Sequence, residues 1–107
     1  MKVYNKLVRD KIPEIISADG EKPKIRILAD DEYQKELLKK IIEEAKEVEA
    51  AGGDKNELIK ELGDVQEVVE ALIKSFSLDK SEIEKLQAKR KATRGGFDKK
   101  IFLEYTE

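Results

Sequence analysis

The chain has no cysteine and no histidine. The first absence excludes disulfides, thiolate metal sites and cysteine nucleophiles. The second removes the usual general base and the imidazoles of zinc sites. Any catalysis must use carboxylates, Lys or Arg, hydroxyls or a bound metal. No apolar run approaches the roughly 18 residues that a membrane-spanning helix needs, and the opening Met1-Lys2-Val3-Tyr4-Asn5-Lys6 lacks the apolar stretch of a secretory signal. A cytoplasmic protein without a membrane partner is expected. A large excess of one charge is also lacking: 22 basic and 24 acidic residues leave a net charge of −2, so no global field draws the protein to nucleic acid or lipid. The segment Lys85 to Lys100 is basic, but only Phe97 and Phe102 could stack on bases there, which disfavours single-strand nucleic-acid binding.

What is present is charge and helix periodicity. Charged residues make up 43% and hydrophobic residues 39% of 107 positions. This suits one small domain, residues 1–107, whose thin core is completed by pairing with copies of itself. A short helix is predicted from about Asp10 to Ser17, with Pro13 in its first turn and Gly20 as its stop. Lys24-Ile25-Arg26-Ile27-Leu28 reads as a short strand or extended segment. Asp30 or Asp31 then caps a long helix to about Ala51, with Asp31 and Gln34 fitting a capping box. Gly52-Gly53 ends it, and Asp54 with Glu57 starts a second long helix over about Lys55 to Ser75. A last helix, capped by Asp79 or Ser81, runs to Arg94 before Gly95-Gly96, and the tail Ile101 to Tyr105 is read as extended. The fold class is therefore all-α: a helical hairpin with additional short helices, one minor short strand at most, and a core finished by oligomerisation.

Two acidic pairs, Glu44/Glu47 and Glu61/Asp64, flank the Gly52-Gly53 break at nearly equal distances. A tight hairpin brings them to one depth. At about 100° per residue, Leu37, Leu38, Ile41, Ile42, Ala45 and Val48 form an apolar arc that contains Glu44, with Glu47 about 60° away on its flank. In the second helix Leu58, Leu62, Val65, Val68, Val69, Leu72 and Ile73 form the arc, Glu61 lies inside it, and Asp64 lies on the flank. Glu43 points away from the first arc, and Glu67 and Glu70 from the second. Acids spaced three apart are common on charged, solvated helix faces. A carboxylate on a core face is different, because it costs several kcal/mol unless compensated. Oxygen-only donors at matched positions favour a hard cation, Mg²⁺ or Mn²⁺. At the other pole, Arg90 and Arg94 share a face with Ile83 and Leu86 and are expected to point inward, flanked by Lys89 and Lys91. The plainer reading of these cations is compensation of a helix C-terminus. Carboxylates for a metal and arginines for phosphate together suit phosphoryl or nucleotidyl chemistry.

These residues resemble the MazG-like all-α nucleoside triphosphate pyrophosphohydrolase superfamily. Glu43-Glu44-Ala45-Lys46-Glu47 followed by Glu61-Leu62-Gly63-Asp64 matches its acidic signature. The opening Tyr4-Asn5-Lys6-Leu7-Val8-Arg9-Asp10-Lys11-Ile12-Pro13 and the late Arg94-Gly95-Gly96-Phe97 are similar to a subgroup related to phosphoribosyl-ATP pyrophosphohydrolases. The resemblance implies hydrolysis of a nucleoside triphosphate between its α and β phosphates. It implies Mg²⁺, with Mn²⁺ as a substitute, on Glu44, Glu47, Glu61 and Asp64, and one of these or Glu43 orienting the attacking water. Lys89, Arg90 and Arg94, with Lys6, Arg9 and Lys11, would contact phosphates, and the protein would be a dimer or tetramer. The base, the sugar, and whether phosphoribosyl-ATP is itself the substrate stay open. The rival reading is a non-catalytic, self-associating helical interaction module whose buried acids pair with Lys or Arg.

Overall fold

A computed structural model describes residues 1–107. Four helices follow in order: α1 Ile12–Ala18, α2 Asp30–Ala51, α3 Lys55–Ser75 and α4 Lys80–Arg94. No strand forms, so the architecture is all-α. The apolar alternation of Lys24 to Leu28 leaves the segment without regular structure, because no second strand lies beside it to complete a ladder. Arg26 instead clamps Glu32 through two bonds of 2.9 and 2.6 Å, which holds the Glu32 carboxyl below its ordinary range. The tail from Ile101 onward is also without regular structure. No helix is long and apolar enough to cross a membrane.

The hairpin turns where the sequence changes composition. Gly52 adopts φ +58°, a conformation that costs glycine little, and its N–H closes the helix end on the Glu49 carbonyl. Asp54 then caps α3, its carboxylate accepting from the Glu57 N–H at 3.1 Å. In α4 the cap is Asp79, which accepts from the Ser81 backbone and hydroxyl. These bonds lower the Asp79 pKa.

The start of α2 differs from expectation. Ala29 occupies the cap position and makes no side-chain cap bond, so the Asp31–Gln34 box does not form. Gln34 is drawn elsewhere: its Nε2 donates to the Ser75 carbonyl at 3.0 Å. Ser75 ends α3, and its carbonyl is one of the terminal acceptors a helix leaves unpaired. The bond therefore ties the open end of the hairpin. Gln34→Ala should cost about 1 kcal/mol, read as a lower urea midpoint with an unchanged slope.

Helix packing is dominated by α2 against α3. Only Leu37, Val68 and Glu61 are buried. The buried seam is narrower than the apolar arcs: Leu38, Ile42 and Ala45 on α2 and Leu62 on α3 face outward, as does Ile59 outside the second arc. Two helices cover only one stripe of each other, and the rest of a wide arc waits for another surface. Helix α4 buries nothing. Its Ile83 and Leu86 are exposed, and so are Arg90 and Arg94. The expected inward direction of these arginines is thus not met within one chain, because α4 does not pack extensively on the hairpin. The radius of gyration, 18.2 Å, exceeds the roughly 13 Å of a compact domain of this length.

Candidate metal centre

Glu44 on α2 and Glu61 and Asp64 on α3 meet across the hairpin seam. One carboxylate oxygen from each lies within 4.8 Å of the others. The helix repeat explains the meeting. Positions 37, 44, 48 and 51 line one stripe of α2, and 58, 61, 65 and 68 line its counterpart on α3, so an acid at 44 or 61 enters the seam. Glu61 is 7% exposed, the only charged residue buried in the chain. The Glu44 side chain is 12% exposed and that of Asp64 32%. Burial pushes the Glu44 carboxyl up, Lys40 opposes this, and the negative charges of Asp64, Glu43 and Glu61 add to it.

That direction has a consequence for stability. Below the ordinary carboxyl value of 4.5, Glu44 is protonated in folded and unfolded chains alike and costs nothing. As pH rises past it, the unfolded chain ionises first. Stability is lost until the folded carboxyl has also ionised. Glu44→Gln should therefore raise the metal-free melting temperature at pH 7 and leave it unchanged near pH 4, in melts run with a chelator.

The other expected residues divide into near and remote. Glu47 is exposed and outside the trio, but it lines a groove of about 320 Å³ at the hairpin end together with Asp54, Glu57 and Glu61. The Glu43 carboxylate is engaged by Lys6 and Lys40, each at 3.4 Å. Arg9 Nη2 donates to Asp64 Oδ1 at 2.7 Å and Nη1 lies 3.8 Å from Glu67. Lys11 is exposed. Lys89, Arg90 and Arg94 lie along α4 and form no ion pair with the acids. Pattern reading overlooks Lys40, whose ammonium is 3.8 Å from Glu44 and whose side chain is only 16% exposed. Its position four residues before Glu44 is the signal that finds it.

Three hard oxygen donors at this separation, one buried and one disfavouring its own charge, fit a divalent cation. The partial neutralisation by Lys40, Lys60 and Arg9 leaves carboxylate oxygens for it. Fold and site thus define an all-α hairpin protein with a carboxylate cluster in its seam whose oxygens could hold a metal ion.

Comparison with known proteins gives that class a family. The family model described as phosphoribosyl-ATP pyrophosphohydrolase matches residues 5–91, and the chain belongs to this family. The family's description names a pyrophosphohydrolase, and the cluster of Glu44, Glu61 and Asp64 lies within the matched residues. An uncharacterized protein of Mycolicibacterium smegmatis is 56% identical over 45 residues, covering 42% of this chain and 46% of that protein, so the match spans less than half of the relative's length. No solved structure matches.

Proposed function

We propose that the 107 residues act as one domain of a Mg²⁺-dependent nucleoside triphosphate pyrophosphohydrolase, working in the cytoplasm, with Mn²⁺ as a competent substitute. It would cleave substrate between the α and β phosphates, giving the monophosphate and pyrophosphate, with house-cleaning of noncanonical nucleotides as its use. The observation that carries this reading is the meeting of Glu44, Glu61 and Asp64 within 4.8 Å around a buried Glu61, in a chain of pyrophosphohydrolase family.

In this reading Glu44, Glu61 and Asp64 hold the cation, and Glu47 adds a fourth carboxylate from the groove it shares with Glu61. When bound, such an ion would supply positive charge against the phosphates and make water more acidic. One of the four carboxylates, or Glu43, orients the attacking water and takes its proton. The water oxygen bonds to phosphorus as the α–β bridge breaks. Lys6, Arg9 and Lys11 at the N-terminal rim, with Lys89, Arg90 and Arg94, bind phosphate and offset the charge of the leaving pyrophosphate. A panel of canonical and damaged nucleoside triphosphates with Mg²⁺, scored for pyrophosphate, tests the proposal. Release that stops on chelation supports it, and inactivity across the panel with metal bound refutes it.

The protein would work as a dimer or tetramer. The exposed Leu38, Ile42, Ile59 and Leu62, together with α4, support self-association. Sedimentation velocity should give a mass at least twice the 12.2 kDa of one chain, and Ile42→Asp should shift it toward the monomer.

A further inference from the structure

The segment before α1 lies across the rim of the acid cluster and touches both arms of the hairpin. Lys6 reaches Glu43 on α2, and Arg9, 55 residues away in sequence from its partner, reaches Asp64 on α3. The Arg9 backbone is held where α1 begins, its carbonyl accepting from the Ile12 N–H at 3.0 Å. Its side chain is nonetheless more than half exposed. A tethered backbone with an exposed charged end that bonds only to surface carboxylates describes an arm rather than a packing residue.

Asp64 is therefore claimed twice. Its Oδ1 accepts from Arg9 at 2.7 Å, and one of its oxygens also belongs to the trio within 4.8 Å. A divalent cation drawing on Asp64 would stand beside a guanidinium of the same sign and be repelled by it. The two cations are antagonists at one carboxylate. Glu67, 3.8 Å from the other Arg9 nitrogen, is a weak holding point on the outer side. The guanidinium fork pairs as well with phosphate as with carboxylate.

We propose that Arg9 is an exchanging positioning arm: it neutralises Asp64 while the cluster holds no metal, yields that carboxylate to the divalent cation, and then binds the polyphosphate delivered to the rim. This rests on the metal reading above. It adds an order of events, in which metal entry releases the cation that recruits substrate, and it gives Arg9 opposite effects on the two ligands.

The test uses the full chain and two probes: Mn²⁺ alone, titrated by electron paramagnetic resonance, and the Mn²⁺ complex of tripolyphosphate, titrated by calorimetry onto metal-loaded protein. Arg9→Ala should tighten Mn²⁺ alone by about threefold, the scale of an exposed ion pair. It should weaken tripolyphosphate by about tenfold, the scale of a charge-assisted pair. Arg9→Lys should fall between wild type and Arg9→Ala on both. Lys60→Ala removes an exposed charge 3.8 Å from Glu61 and should not produce the opposed pair of shifts. Unchanged or weaker Mn²⁺ binding in Arg9→Ala, undiminished tripolyphosphate binding, or the same opposed shifts in Lys60→Ala would overturn the exchange. Wild type that binds no Mn²⁺ would overturn the metal reading beneath it, whereas wild type that binds Mn²⁺ indistinguishably from Arg9→Ala removes the exchange alone.

Discussion

Glu61→Gln should lower pyrophosphate release by about a hundredfold or more, the scale lost when charge stabilisation at a reacting centre is removed. Glu67→Gln, six residues further along α3, should leave turnover within about threefold, the scale of an exposed ion pair. The contrast rests on burial and direction. Glu61 is 7% exposed and its carboxylate joins Glu44 and Asp64, whereas the Glu67 side chain is 58% exposed and meets only Arg9 at 3.8 Å. Glutamine keeps the shape of Glu61 and removes its charge, so the cluster loses a ligand without leaving a cavity. The metal-free variant should melt no lower than wild type, since a buried charge has been removed. Lost activity with retained stability would assign Glu61 to function rather than folding. Equal effects at the two positions would discredit the assignment.

The second large effect is on the fold. Leu37→Ala should cost about 2–4 kcal/mol and lower the melting temperature by about 10 °C or more. Leu37 is 3% exposed, the most buried residue in a chain where only Val68 and Glu61 join it. So small a core has little to collapse into the space left behind. Leu38→Ala is the paired control. With Leu38 half exposed on one chain, its cost should enter chiefly through self-association, and the melting temperature of that variant should vary with protein concentration. A cost at Leu38 as large as at Leu37 in dilute protein would mean that the seam is drawn on the wrong residues.

Much of this was legible in the sequence because the signals were local. Asp54 and Glu57 after two glycines place the start of α3, and the cap bond is made as the spacing suggests. The helical wheel put Glu44 and Glu61 on core-facing positions and Glu47 and Asp64 on flanks. The hairpin brings three of these together and leaves Glu47 at the neighbouring groove. The failures share a different cause. A wheel shows that a face is apolar but not what covers it, so Leu38, Ile42 and the arginine face of α4 read as inward yet meet no covering surface within one chain. Gln34 had a local role available as a cap partner and took a distant one on Ser75. The short strand lacked a mate that no local pattern could reveal. The Arg9–Asp64 pair joins residues 55 apart in sequence, and nothing in the periodicity of either segment announces it.

The most direct measurement is phosphorus NMR of nucleoside triphosphate incubated with the protein and Mg²⁺, using whichever substrate the panel selects. Nucleoside monophosphate and pyrophosphate should accumulate in equal amounts, with neither product formed in the presence of a chelator and both formed about a hundredfold or more slowly by Glu61→Gln. Diphosphate with orthophosphate, or turnover indifferent to both metal and Glu61, would contradict the account.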